Sequence, residues 1–376
     1  MKLLFVLTFY RPHWTGLTQY AARVAEGLAK RDHEVTVLTS QHNRESPLTE
    51  NITGVKVVRL KYWFRLLRSV VTPGFLFSLI KLVRENESVV AYLPLQQVVL
   101  TAMVAGIFKK KLYLIHNGDL VLPKDGGVIA KIAEAVYYLT TRWSIKRARA
   151  VLIQSEDYAK QSKLLLGCED KWRVILPLFE IPSVSASEVA NFKQKYGLEN
   201  KILIGFSGRF VEEKGVDYLL EAIPIVIRRF PRAMMVLAGD YKINYEKFWQ
   251  KIEGLIKRYK KHLKLLGLIN DPRELFAFYK SLSLYVQPSR TDCFPSSQIE
   301  AMLAGTPSVC TNIPGARWVV QETGFGLIVK ARDEKSLGRG IIEGLGRNFK
   351  SRSATVKKVF DYQRTLDKYE KLFNTN

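Results

Sequence analysis

The chain has 376 residues, enough for about two domains. Hydrophobic residues make up 47% and charged residues 25%, which excludes collagen-like, low-complexity and wholly disordered chains. Lys plus Arg outnumber Asp plus Glu by 58 to 35, a net charge of +23, so the surface attracts anions: a phosphorylated substrate, an anionic bilayer or nucleic acid.

Met1-Lys2 opens onto Leu3–Leu7, a short apolar run of the kind a buried parallel strand shows. No cleavage-site pattern follows, so a secretory leader is not expected. A turn with Pro12 and Gly16 leads into an amphipathic helix over Leu17–Lys30, then a strand at Val35–Leu38. Further strands are expected at Val55–Val58, Val89–Leu93, Leu112–Ile115 and Val151–Ile153, each separated by a helix-length segment. Ser88–Phe108 carries no charge over 21 residues, long enough for a membrane span. It divides at Pro94 into a β-rich half and a helix-like half, so a buried strand followed by a buried helix is the expectation.

Pro177, Pro182, Ser183, Ser185 and Ser187 mark a linker, after which the alternation restarts. Strands are expected at Ile202–Phe206, Met234–Leu237, Leu263–Leu266, Ser283–Val286, Ser308–Cys310 and Gly326–Val329. A helix should start at Val216, another near Ser296, and an amphipathic one should cover Asp361–Phe373. The pattern predicts an α/β chain of two Rossmann-like, doubly wound domains: 1–182 with the helix 360–376, and 190–358. In such sheets ligands bind at the carboxyl ends of strands, so a cleft between the domains is the expected site. The three cysteines, Cys168, Cys293 and Cys310, form no CxxC pair; free thiols in a reducing compartment fit them better than zinc or disulfides.

Four loops could carry chemistry. Ser207–Gly215 follows a strand and holds Arg209 and Lys214, a planar fork and a point charge suited to a diphosphate. Ordinary solvated charges on a surface loop are the alternative. In Asp292–Glu300 a helix starts near Ser296. Its first amides favour phosphate, Ser296 and Ser297 add hydroxyls, and Glu300 could accept from vicinal ribose hydroxyls. Here the alternatives are helix capping by Asp292 and Ser296, and a solvent-facing charge at Glu300. His116-Asn117-Gly118-Asp119 puts a histidine after a strand, where it could bond a sugar hydroxyl, move a proton, or be structural. Pro12–Leu17 offers Gly16, a small residue beside which a ligand could lie. GxGxxG and Walker A patterns are both missing, which weakens a nicotinamide or P-loop reading.

Taken together, Gly208-Arg209, Lys214-Gly215 and the run from Asp292 to Pro307 resemble a retaining GT-B glycosyltransferase, within it glycosyltransferase family four (group 1). The likeness extends to Pro12–Gly16, to Asp32-His33-Glu34-Val35 and to Val151–Ser155, nearly the whole chain. It implies two Rossmann-like domains facing a cleft, with a C-terminal helix crossing back to the first. It also implies that Arg209, Lys214 and Gly16 meet the donor diphosphate, and that Phe294, Pro295, Ser296 and Ser297 touch phosphates and donor sugar. Glu300 would take the ribose and the backbone of Ile269 the base, while His116 and Asp292 would be catalytic. Two positions depart from the family pattern: Asp292 stands where Glu is usual, and Thr15 where the first of two glycines is usual.

The implied function is transfer of a sugar, with retention, from a UDP- or GDP-linked donor to an envelope polysaccharide or a lipid-linked acceptor. Fixed cations and a helix N-terminus would stabilise the leaving diphosphate, so neither a metal nor a cofactor is expected; the chain has no Asp-x-Asp. A nucleotide-sugar epimerase and a sugar-phosphate synthase share the fold and stay as alternatives. A basic nucleic-acid-binding protein is the remote one: no recognition motif is present, so nucleic acid is not an expected partner. Residues 51–150 hold 16 basic and 5 acidic residues. Within them Tyr62–Arg84 interleaves Trp63, Phe64, Leu66, Leu67, Phe75, Phe77 and Leu79 with Arg65, Arg68, Lys81 and Arg84. That predicts contact of 61–84 with an anionic membrane and a cytoplasmic enzyme at the inner face of the cytoplasmic membrane. A solvated basic face over a buried helix is the alternative.

Overall fold

A computed structural model of the protein describes residues 1–13, 15–66, 69–120, 127–241, 243, 247–349 and 352–375; side chains 65, 66, 69, 129 and 130 are outside the description. The chain forms two compact units, Met1–Leu178 with Asp361–Asn376, and Phe179–Phe360.

The first unit begins with β1 (Lys2–Val6), α1 (Gly16–Ala29), β2 (Glu34–Ser40), β3 (Thr49–Ile52) and β4 (Val55–Leu60). A small hairpin follows, β5 (Arg65–Leu66) with β6 (Ser69–Val70), then α2 (Phe75–Glu85), β7 (Ser88–Leu93) and α3 (Val98–Ile107). The unit continues through β8 (Lys111–His116), α4 (Gly127–Arg147), β9 (Ala150–Ile153), α5 (Glu156–Ala159) and β10 (Trp172–Val174). The sheet order is β10-β9-β8-β7-β1-β2-β4-β3, parallel throughout except for the β3 edge. Its strands are apolar runs because helices cover both faces; β7 is buried at all six positions. The uncharged stretch Ser88–Phe108 resolves into β7 and α3. Among the described residues no helix is long and apolar enough to cross a membrane.

The second unit runs α6 (Ala186–Tyr196), β11 (Ile202–Ser207), α7 (Val216–Arg229), β12 (Ala233–Ala238), α8 (Phe248–Arg258), β13 (Leu263–Gly267) and α9 (Pro272–Ser281). It ends with β14 (Leu284–Gln287), α10 (Ser296–Leu303), β15 (Ser308–Thr311), α11 (Ala316–Thr323), β16 (Gly326–Val329), α12 (Glu334–Gly346) and α13 (Ser353–Val359). Its parallel sheet has the order β13-β12-β11-β14-β15-β16. The strand order therefore reverses between β11 and β14, the place where ligand crevices open in such sheets.

The last helix, α14 (Tyr362–Asn374), belongs to the first unit. Its Leu366, Tyr369 and Phe373 complete the core cluster that holds Tyr20, Leu28 and Tyr113. Arg31 fixes the outer side, with Nη1 2.7 Å from both Asp367 Oδ1 and Glu370 Oε2.

The basic stretch 61–84 is not one amphipathic surface. It holds the β5–β6 hairpin and α2, and Leu67 and Arg68 lie outside the described residues. Trp63, Phe64 and Phe77 face solvent, whereas Phe75 and Leu79 are buried, because α2 must turn one side to the sheet.

Candidate active site

The predicted residues of the second unit, Ile269 excepted, gather where its strand order reverses. Gly208 follows β11, and Arg209 and Lys214 stand on the loop into α7. Asp292 and Phe294 lie on the loop from β14 to α10. Lys214 Nζ is 2.5 Å from Asp292 Oδ2, and Gln287 Nε2 donates to the same oxygen at 3.3 Å. Burial opposes the Lys214 charge, but Asp292 outweighs it and the amine titrates above its ordinary value. Arg209 is half-exposed and ion-paired to Glu213 at 3.0 Å.

Two long-range contacts fix the loops against each other. Arg290 on the second loop bonds the Glu212 carbonyl on the first and both oxygens of Asp217, in the first turn of α7. Gly215 has φ +66°, and a Cβ there would collide with the Pro288 carbonyl. A residue with a side chain would thus push the Lys214 loop off the Asp292 loop.

No side chain caps α10: its N-cap is Pro295, and neither Asp292 nor Ser296 bonds back to its first turn as a cap would. The capping alternative for those two residues is therefore set aside, and the first-turn amides point toward the loop. Ser297 Oγ is 2.8 Å from the Tyr285 hydroxyl. Phe294 packs its ring against Trp318 and Phe360, 5.5 and 6.3 Å between centroids, so a ligand would meet its backbone rather than its ring. Glu300 Oε2 accepts from the Tyr279 hydroxyl at 3.2 Å, which in turn accepts from Ser207 at 2.7 Å. Burial, then the nearby Glu300 charge, drive the Tyr279 hydroxyl well above its ordinary value, so it stays a donor. Ile269 follows β13 with its side chain buried beside Phe276 and Phe278, leaving its backbone at the strand end.

His116 and Gly16 belong to the first unit. His116 ends β8 and its ring is buried; Nε2 lies 3.0 Å from Asp119 Oδ1. Ser162 donates to the same oxygen at 2.6 Å, and Tyr158 OH accepts from the Asp119 amide. Burial would raise the Asp119 carboxyl, but the bonds from His116 and Ser162 hold it below its ordinary value. An anion at Nε2 fixes the tautomer, leaving Nδ1 as the other face of the ring. Gly16 opens α1, and a Cβ on it would meet nothing within 4 Å, so packing does not require the glycine. Thr15 is the N-cap of α1, in a capping box with Thr18, which gives it a structural role.

Sequence reading alone missed Tyr279, Gln287, Ser162 and Gly315. Each acts through a partner distant in sequence, or in Gln287's case through a short strand-end contact that only the fold reveals. Gly315 (φ +80°) lies so close to Cys293 that a Cβ would collide with its carbonyl, fixing the loop from the far side. Among the described residues no three His, Cys, Asp or Glu side chains group as a metal site would need.

Residues 188–359 match the family described as glycosyl transferases group 1, and residues 15–177 match the glycosyl transferase 4-like domain. The chain belongs to the group 1 glycosyltransferases. Over 360 residues this glycosyltransferase is 26% identical to an uncharacterized glycosyltransferase of Methanocaldococcus jannaschii, covering 91% of this chain and 88% of that one. It is 23% identical to the capsular polysaccharide biosynthesis glycosyltransferase CapM of Staphylococcus aureus, covering 64% and 63%. Its fold matches that of HepE from Anabaena, solved in complex with UDP, with a TM-score of 0.77, 18% identity and 99% of each chain covered. The glycosyltransferase thus has the GT-B architecture of two parallel-sheet, Rossmann-like domains.

Proposed function

We propose that this glycosyltransferase moves a hexosyl unit, with retention, from a UDP- or GDP-linked donor to an envelope polysaccharide or lipid-linked acceptor. It would work in the cytoplasm, at the inner face of the cytoplasmic membrane. The observation that carries the reading is the junction of β11 and β14, where Arg209, Lys214 and the start of α10 stand within one small region. A dianionic leaving group is the ligand such a region suits. The UDP named with the Anabaena structure and the capsular role named for CapM support the donor and acceptor classes.

As the bond from the anomeric carbon to the diphosphate breaks, negative charge collects on the terminal phosphate. Arg209, Lys214 and the first amides of α10 stabilise that charge more in the transition state than in the bound donor. These cations take the part for which other enzymes recruit a divalent ion. Glu300, oriented by Tyr279, accepts from the ribose hydroxyls, and the Ile269 backbone meets the base. Phe294, Pro295, Ser296 and Ser297 present backbone and hydroxyl donors to phosphates and sugar, and Asp292 lies by the sugar. In the first unit, Gly16 is assigned to the phosphates and His116 to the reacting centre. The acceptor oxygen attacks the face that the diphosphate leaves and gives its proton to the departing phosphate oxygen. Configuration is kept without a protein nucleophile.

The test is thermal shift against UDP-, GDP- and ADP-sugars, with Glu300→Ala and Arg209→Ala beside the wild type. One nucleotide class should raise the melting temperature, and both variants should lose the shift. A folded protein that responds to no donor would overturn the reading.

A further inference from the structure

Helices α2, α3 and α4 lie side by side on one face of the first sheet, and their inward residues share one core cluster. The outward side of such a layer is normally polar. Here it is not. Among the described residues sixteen large hydrophobic side chains are exposed; eight of them lie on α2, α3 and α4, and only three lie in the second unit. The exposed apolar surface is therefore concentrated on this layer rather than spread evenly over the molecule.

Its main part is α4. Val128, Ile132, Val136 and Leu139 recur at helical spacing and are 72%, 58%, 54% and 65% exposed. The opposite side of the same helix buries Tyr137, Thr141, Ser144 and Ile145. Lys131 and Glu134 are the only charges in the first ten residues of α4. Phe77 of α2, 81% exposed, and Ile107 of α3 extend the apolar side across the layer.

Cations frame it. Lys81 and Arg84 on α2, Lys109 after α3, and Lys131, Lys146 and Arg147 on α4 are all exposed. A second copy docking through this face would bring like charges together, whereas an anionic surface complements them.

We propose that the outward face of α2, α3 and α4 seats the chain on an anionic lipid bilayer, with α4 lying in the interface plane and its apolar stripe among the acyl chains. The inference rests on the reading of the chain as an envelope glycosyltransferase and gives it a geometry. α4 starts at the carboxyl end of the first sheet, the end that carries His116, with only seven residues between it and Asp119. Seating α4 brings that end of the sheet to the lipid boundary, where an acceptor anchored by a lipid presents its sugar. Apolar insertion and electrostatic attraction act together, as stable peripheral attachment requires.

The full chain is sedimented with vesicles of equimolar phosphatidylcholine and phosphatidylglycerol, and with phosphatidylcholine alone. The variants are Ile132→Glu with Val136→Glu, and Lys131→Glu with Lys146→Glu. The wild type should partition to the anionic vesicles only, and each double variant should lose about tenfold in partitioning. The apolar double variant should also lose the fraction that resists high salt. Both variants should keep the wild-type melting temperature and its rise with donor, which separates a failure here from a failure of the donor reading. Three results would overturn the proposal: no partitioning of the wild type, equal partitioning to neutral vesicles, or variants that bind as well as the wild type. A dimer in solution that the apolar variant abolishes would do so too, by assigning the face to a second copy.

Discussion

Lys214 and Asp292 neutralise one another across two loops, with 20% and 9% of their side chains exposed and 2.5 Å between Nζ and Oδ2. The cation assigned to the diphosphate is thus held by an acid, and a nucleotide must compete with Asp292 for it. Asp292→Asn should therefore tighten UDP or GDP binding by about fivefold, while slowing transfer. Calorimetric titration checks this; unchanged or weaker nucleotide binding would contradict the competition.

Removing the other partner has a different outcome. Lys214→Met leaves a largely buried carboxylate with Gln287 as its remaining hydrogen-bond donor among the contacts described above. The loss should be on the order of 2 kcal/mol of stability, read by urea unfolding, together with loss of the donor-induced thermal shift.

The His116–Asp119 pair has a pH signature. The Asp119 carboxyl is held below its ordinary value of 3.8, so its contribution to stability is fully present above that pH. It fades as the pH falls through the lower folded value. The melting-temperature difference between wild type and Asp119→Asn should be largest near neutrality and shrink below pH 3.8. A difference independent of pH would mean that the charge plays no part. Transfer activity at neutral pH should fall in the same variant, because His116 loses the anion that sets its tautomer.

Tyr279→Phe removes the donor to Glu300 and the acceptor for Ser207 while keeping the buried ring. It should cost about 1–2 kcal/mol in stability. As a positioning change it should raise the donor KM several-fold with little change in kcat, whereas a purely structural role would leave KM alone.

Gly315→Ala sets a Cβ against the Cys293 carbonyl in a backbone region that alanine avoids. The expected cost is about 1–3 kcal/mol. Donor binding should suffer more than stability, since the displaced segment is the Asp292–Ser297 loop. Melting curves with and without donor separate the two effects.

Most of the architecture was legible in the residues because buried parallel strands announce themselves: Leu3–Leu7 and Val89–Leu93 are apolar without interruption. The charged loops were equally plain, since each directly follows such a run. What escaped had either no pattern or a distant partner. β3, Thr49–Ile52, is a polar edge strand, half of whose positions are exposed, with nothing in its sequence to mark it. Tyr279 reads as one more aromatic on a helix until folding brings Glu300 beside it. The reversed polarity of α4 was hidden for another reason: apolar residues at helical spacing look alike whether they face a core or solvent.

The place of α14 in the first core has a consequence for how the molecule is made. Leu366, Tyr369 and Phe373 are synthesised after the whole of Phe179–Phe360, yet they close the hydrophobic cluster begun by Leu3 and Phe5. At about 5–20 residues per second, the ribosome holds the nascent first unit in an unfinished state for roughly ten to forty seconds. During that interval, while the second unit is being made, the surface that α14 will cover, around Tyr20 and Tyr113, is open. The unit that is started first is therefore the one finished last.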